Sequence, residues 1–330
     1  MAKTYSRRRA IAIFAAVAGL PLLTGAKSAD SPVTWTGQAL GAPATLILNH
    51  QDRAAAGRLI ERVVAEVARL ESIFSLYRED SALAELNRAG FLVAPPADLV
   101  SVLQASRGFW EVTRGAFDPT VQPLWNLYRN HFAQPDADSS GPSRKDVGGA
   151  LANVGFDAVK TGRDRIIMPS KMALTLNGIA QGLITDRIVE MLRDAGVTSS
   201  LVDMGEDRAI GSKADGSPWR IGLAESEDSD SPDQVLNIVD KAVATSSATG
   251  FYFDSAGHFG HIIDPRDGSA PTLYRRVSVV ADEAATADAL STAFTLMDEN
   301  SIASVTKARP EVTVDLVRAS GVHVRLGRTV

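Results

Sequence analysis

Between Thr286 and Phe294 the chain runs Thr-Ala-Asp-Ala-Leu-Ser-Thr-Ala-Phe, a helix that has to be buried and yet carries an acid at its middle. Ala289, Leu290, Ala293, Phe294, Leu296 and Met297 recur with the spacing of a buried helix. Asp288 and Thr292 are four apart, so their side chains lie one turn apart on one face. A buried carboxylate without a partner costs several kcal/mol, so Asp288 requires a cation or several donors. Two solutions stand at this point. Backbone amides or an arginine satisfy it, as for most buried aspartates, or it joins Thr292 as a hard-oxygen ligand for magnesium held against a phosphate.

The rest of the chain bounds the setting. Its 330 residues are 45% hydrophobic, which suffices for one large domain or two modest ones. The N-terminus reads separately. Lys3, Arg7, Arg8 and Arg9 precede a short apolar run, Ile11 to Leu23, and then the small residues of Thr24-Gly-Ala26 and Lys27-Ser-Ala29. That is the order of an export signal over residues 1–29, too short in its apolar part to span a bilayer comfortably. Ser6-Arg7-Arg8-Arg9 resembles a twin-arginine signal, which predicts a periplasmic protein occupying residues 30–330. Cysteine is absent, which excludes disulfides, thiolate ligands, a cysteine nucleophile and a lipobox anchor. Loss of residues 1–26 moves the formal charge from −5 to −9, which argues against non-specific nucleic-acid binding.

Along the mature chain, 34–48 predicts a strand pair and 53–74 a strongly amphipathic helix. The polar stretch 76–88 reads as irregular, 97–113 as a helix broken by Arg114-Gly-Ala-Phe-Asp-Pro119, and 131–145 as a loop. A strand hairpin is expected over 165–176, then a helix from about Asn177 to Ala195 stopped by Gly196. Strands follow at 199–204, 219–223, 235–245, 259–263 and 275–281, with Glu225 to Asp233 an acidic loop. The buried helix, a shorter one over 301–308 and a hairpin over 312–326 close the chain. Clustered strands and a few long helices predict an α+β fold with mixed or antiparallel sheets.

No phosphate-loop or dinucleotide fingerprint is present. His258-Phe-Gly-His261 carries two histidines, but residues three apart on the expected strand would face opposite ways, and no third ligand is near. His261 instead precedes the turn Asp264-Pro-Arg-Asp-Gly268, placed either for acid–base work or simply bonded at a strand end. Asn177-Gly178-Ile-Ala-Gln181-Gly182 opens a helix, where free amides can meet a phosphate.

Taken together in order, these runs resemble the ApbE family of FAD:protein FMN transferases. The matching segments are Ala39-Leu40-Gly41, Glu71-Ser-Ile-Phe-Ser75-Leu-Tyr77 with Asp80-Ser81, and Gly115-Ala-Phe-Asp118-Pro-Thr120. Gly178-Ile-Ala-Gln181-Gly182, Pro218-Trp-Arg-Ile-Gly222, His261-Ile-Ile-Asp264-Pro-Arg-Asp-Gly268 and Ala287-Asp288-Ala-Leu-Ser291-Thr292 complete them. The resemblance implies an α+β fold, FAD as substrate, magnesium as cofactor, and transfer of FMN to a Thr or Ser hydroxyl of an acceptor flavoprotein with release of AMP. It gives Asp288 and Thr292 the role of metal ligands, with Ser291 beside them and Gly178 offering a backbone carbonyl. Leu40, Tyr77, Ala116, Phe117, Asp118 and Ile263 match flavin or adenine contacts, and His261 the catalytic histidine.

Two departures accompany it. Thr175 stands where the family usually has Asp, and Gln181 where it has Lys or Glu, both at flavin-site positions. The family's Asn-x-Gly-Gly run is here Asp203-Met-Gly205-Glu206. These features are similar to those of exported, NosX-like members associated with nitrous oxide respiration, and a membrane-associated respiratory flavoprotein is the expected acceptor. They also leave open a flavin carrier without transferase activity, or a metal-dependent FAD pyrophosphatase.

Overall fold

The computed structural model describes residues 31–224, 232–247 and 250–328. The expected export segment 1–29 and most of the expected acidic loop 225–233 lie outside them. The chain opens with the hairpin β1 (Val33–Ala39) and β2 (Ala42–Leu48), turned by Leu40 and Gly41 at positive φ. Asp52 caps α1 (Arg53–Phe74), accepting from the amides of Ala54 and Ala55, and the predicted stripe faces inward through Val63, Val67, Leu70, Ile73 and Phe74. The stretch 76–88 is not irregular throughout. Ser81 caps a short helix, α2 (Ala82–Ala89), which Leu83 and Leu86 anchor in the core. With only two buried apolar residues, its periodicity was too brief to read.

Next come β3 (Phe91–Val93), α3 (Ala97–Val112), α4 (Gln122–Phe132), α5 (Arg144–Leu151), β4 (Lys160–Thr161) and β5 (Arg165–Ile167). The hairpin expected over 165–176 is therefore wrong in its second half: β5 pairs with β3 and β4 instead. Met172, Leu174 and Leu176 are buried alternately as in a strand, but the backbone there is clipped by a side chain. The amide of Leu174 donates to Asn87 Oδ1 at 2.7 Å, and Asn87 Nδ2 donates back to its carbonyl at 2.9 Å.

The chain continues through α6 (Ala180–Asp194), β6 (Ser200–Asp203), β7 (Asp207–Ile210), β8 (Trp219–Leu223), β9 (Gln234–Ile238) and β10 (Ala242–Ser246). The single strand expected over 235–245 is two, broken where Asp240 takes a positive φ. The strand expected over 259–263 is absent. One bridge, Tyr252 to Gly260, and paired backbone bonds hold that segment as a loop. β11 (Tyr274–Ala281), α7 (Ala284–Phe294), α8 (Glu299–Ala308), β12 (Thr313–Arg318) and β13 (His323–Leu326) finish it.

One sheet of eight strands runs β1-β2-β6-β7-β10-β11-β12-β13; smaller sheets are β3-β5-β4 and β8-β9. Every strand pair among the described residues is antiparallel, so the fold is α+β. The main core lies between one face of the large sheet and α1, α3, α6 and α7. On the other face Ile47, Leu201, Ala209 and Val243 meet Trp219, Ile221 and Leu236 of the β8–β9 hairpin. Leu124, Tyr128 and Ile263 gather a third, aromatic cluster with Phe253 and Phe259. α7 is wrapped by β10, β11 and α6, which is why its sequence is apolar all round.

Candidate active site

Three elements meet at the middle of α7. Asp288 is wholly buried there, and its Oδ2 accepts the amide of Gly182 at 3.1 Å, from the first turn of α6. Asp288 is thus aimed at a helix N-terminus, where amides and dipole favour negative charge. One turn on, Thr292 lies against Gly178. A Cβ on that glycine would stand 3.0 Å from Thr292 Oγ1, tighter than ordinary contact, so glycine lets the backbone come close to the hydroxyl. β10 supplies the third side: Ser246 Oγ is 2.8 Å from Ser291 Oγ and 3.5 Å from Thr292 Oγ1. The structure therefore brings together the four residues expected to hold a metal, Gly178, Asp288, Ser291 and Thr292, and adds Ser246.

The seam behind them is tight. A Cβ on Gly182 would fall 2.6 Å from the Ala284 carbonyl carbon and 2.7 Å from Ala285 Cα, so the two helix backbones touch. Asp186, one turn further along α6, accepts the amides of Ala284 and Ala285 at 2.7 and 2.8 Å and pairs with Arg208. It caps α7 from across the seam. Burial pushes its carboxyl above the usual range, opposed by Arg208 and the two amides. Sequence reasoning missed Asp186 and Ser246. Asp186 gave the same signal as Asp288, an acid beside buried Ile184 and Thr185, whereas Ser246 stood out only as one hydroxyl in the run Thr245-Ser-Ser247.

The two departures from the family pattern at 181 and 203–206 are neighbours. Gln181 is 4% exposed and packs on Gly205, where a Cβ would come within 2.7 Å of its Cδ. Thr185 donates to the carbonyl of Glu206, which is itself wholly buried, so α6 carries the β6–β7 turn on its first two turns.

The Asp118 turn is built differently. Asp118 Oδ1 accepts the amide and hydroxyl of Thr120, at 2.7 and 2.5 Å. Its Oδ2 accepts Trp110 Nε1 and the Phe156 amide, both at 3.1 Å. Burial raises this carboxyl above its ordinary value, against the pull of those four bonds. These four bonds tie the side chain into the fold. Ala116 and Phe117 are buried as well, Phe117 edge-on to Phe109. Thr175 joins this turn, its amide donating to the carbonyl of Pro119 at 2.8 Å, three residues ahead of Gly178.

Leu40 and Tyr77 are carried by α1 instead. The amide of Leu40 donates to Glu71 Oε1 at 2.6 Å, and that of Tyr77 to Ser75 Oγ at 3.1 Å. Tyr77 is 66% exposed, a ring offered to solvent. Ile263 is buried in the aromatic cluster, its side chain against Leu124 and Tyr128.

His261 stands on the loop. Its amide and its Nδ1 both approach the carbonyl of Phe251 at 3.1 Å. A carbonyl only accepts, so Nδ1 carries a proton, and the neutral tautomer compatible with this bond is the one with its lone pair on Nε2. Cε1 of the ring would lie 3.7 Å from a Cβ on Gly250, four residues after Ser246 in the sequence. His258 points elsewhere, 3.6 Å from Asp254 with its side chain 68% exposed, and no metal-holding group of three His, Cys, Asp or Glu exists among the described residues.

The ApbE family model matches residues 40–315. Among curated relatives, a FAD:protein FMN transferase of Treponema pallidum is 33% identical over 266 residues, covering 74% of this chain and 73% of that protein. One of Vibrio cholerae is 30% identical over 306 residues, covering 89% and 90%. Of solved structures, the ApbE protein of Thermotoga maritima aligns with a TM-score of 0.78 at 27% identity, over 90% of this chain and 97% of that one. The apo flavinyl transferase ApbE of Pseudomonas stutzeri aligns at 0.74 and 27%, over 90% and 96%.

Proposed function

This chain belongs to the ApbE family, and from that premise we propose that it is a FAD:protein FMN transferase assisted by magnesium at the α6–α7 seam. The carrying observation is the meeting of buried Asp288 and Ser291 with half-buried Thr292 and the Gly178 backbone at one place. One carboxylate with hydroxyl and backbone oxygens is a hard, low-charge donor set. It fits magnesium, which keeps waters and phosphate oxygens among its ligands, and not zinc or calcium, which ask for more from the protein. When bound, the ion would neutralise and orient the FAD diphosphate.

The protein's own groups do the rest. The opening of α6 lies beside Asp288, and its dipole favours negative charge there, while its amides are engaged: those of Ile179 and Ala180 donate to the Leu176 carbonyl and that of Gly182 to Asp288. An acceptor Thr or Ser hydroxyl attacks the FMN-side phosphorus, the bond to the AMP oxygen breaks, and AMP leaves. His261 Nε2 takes the hydroxyl proton. Tyr77 offers a ring face for stacking, and the backbone of 116–118 a wall for the nucleotide. Thr175 and Gln181 place neutral groups beside the α6 opening, which is expected to weaken FAD binding rather than abolish chemistry at Asp288. The twin-arginine-like N-terminus puts the reaction in the periplasm, and the acceptor is a membrane-associated respiratory flavoprotein, with nitrous oxide respiration the process the departures favour.

Incubation with FAD, magnesium and a Thr-bearing acceptor domain tests this. AMP and covalent FMN should appear together, and neither without acceptor. AMP released without acceptor would instead show a pyrophosphatase; bound FAD with no AMP under any condition would show a carrier.

A further inference from the structure

The three-stranded sheet β3-β5-β4 turns one face to the core and one to water. Leu92 and Ile166 point inward at 7% and 0% exposure, while Phe91 is 55%, Val93 68% and Ile167 39% exposed. Phe91 pairs directly with Ile167, and Ile167 with Lys160; Val93 pairs with Arg165. Residues paired across a ladder, or two apart along a strand, share a face. The outer surface is therefore three large apolar side chains with two cations among them.

A lone exposed apolar residue needs no explanation, but a group on a rigid sheet does. Strand propensity alone would be met by threonine. Guarding an edge strand accounts for Lys160, not for its neighbours. The charge is also out of character. These strands carry no acid in a chain of net charge −5, and exposed Arg163 in the β4–β5 turn adds a third cation beside Asp164. Arg165 opens the central strand, next to the β4–β5 turn. Lysine is depleted at protein interfaces, whereas a lipid interface accepts apolar groups between anionic phosphates that need cations such as Lys160, Arg163 and Arg165 beside them.

We propose that this face docks on an anionic lipid surface. Phe91, Val93 and Ile167 enter the headgroup layer while Lys160 and Arg165 meet lipid phosphate. The inference does not depend on the transferase reading, since none of these residues belongs to the site.

Sedimentation of the full chain with vesicles of phosphatidylglycerol and phosphatidylcholine tests it. The apolar run 11–23 is common to all variants, so its own lipid affinity cancels in the comparison. Phe91→Thr with Ile167→Thr, both β-branched and solvent-facing, should fold normally and bind about tenfold or more weakly. Lys160→Glu with Arg165→Glu should weaken binding to anionic vesicles by at least about tenfold, roughly fivefold per lost cation, and leave binding to pure phosphatidylcholine unchanged. Equal binding by wild type and the threonine pair overturns the proposal. So does a charge pair that binds anionic vesicles as wild type does. A concentration-dependent self-association lost in the threonine pair, with vesicle binding unaltered, overturns it in favour of a second copy of this chain.

Discussion

Asp118 and Asp288 are both buried carboxylates in runs that resemble one family's motifs, yet their surroundings are opposite. Asp118 is ringed by donors from four directions: the Thr120 amide and hydroxyl, the Trp110 indole and the Phe156 amide. Asp288 shares its face with oxygens, those of Thr292, Ser291 and Ser246, at the point where α6 begins. A ring of donors fixes a turn; a gathering of hard oxygens at a helix N-terminus suits a cation and a phosphate. Burial alone does not separate them, since both are below one-tenth exposed.

Isosteric amides should break this pair apart. Asp288→Asn keeps the side-chain shape and the Gly182 contact, so folding should survive. FMN transfer should fall by more than the 10–100-fold typical of changes behind a ligand, and added magnesium should not restore it. Asp118→Asn should do the reverse. Its new NH2 group must face an N–H donor, which should lower stability by about 2–3 kcal/mol. Activity per folded molecule should stay within a few-fold, as read from chemical unfolding beside initial rates. Should Asp118→Asn fold normally and lose transfer, its carboxylate acts on the nucleotide and the contrast collapses.

Gly182→Ala probes the seam that presents Asp288. The added Cβ meets the backbone of Ala284 and Ala285, so α7 must slide, at about 1–3 kcal/mol of stability. Transfer should fall with it, because Asp288 and Thr292 ride on the displaced helix. Gly148→Ala, in α5 with nothing within 4 Å of its Cβ, is the control and should be neutral or slightly stabilising. Equal melting temperatures for the two variants would mean the seam is softer than the packing indicates.

How far the sequence foretold this contrast depends on what each signal encodes. Local signals carried well: the α1 stripe, the β1–β2 pair and the buried character of α7 all reflect periodicity, which the residues state directly. Where a backbone is held by distant partners, periodicity misleads. Met172, Leu174 and Leu176 alternate like a strand, but Asn87 replaces the ladder. His261 looked strand-borne, but its segment hangs on the Phe251 carbonyl and an aromatic cluster. For Asp118 and Asp288 the residue order located both carboxylates, while the partners that distinguish them come from 38 or more residues away: Phe156 for one, Gly182 for the other, with Ser246 reaching its neighbour Ser291.

The smallest expected effect concerns proton linkage, where a third carboxylate gives the comparison a sign. Asp118 has its folded pKa raised by burial, so its contribution to stability is fully present below the unfolded value near 4 and fades as pH rises through the higher folded value. Glu66 on α1 goes the other way. Hydrogen bonds from Arg69 and Arg187 pull it from 4.5 to about 2, so its contribution is present above pH 4.5 and lost as pH falls toward about 2. The arginines are nearly half exposed, which holds the effect to about 1 kcal/mol or less. Glu66→Gln should therefore lower stability slightly at pH 7, and the gap from wild type should narrow steadily between pH 4.5 and 3. Urea unfolding of both proteins across that range reads it directly. A gap that widened on acidification would mean the Glu66 pKa is raised in the folded state, as that of Asp118 is, and that its arginines fail to offset burial.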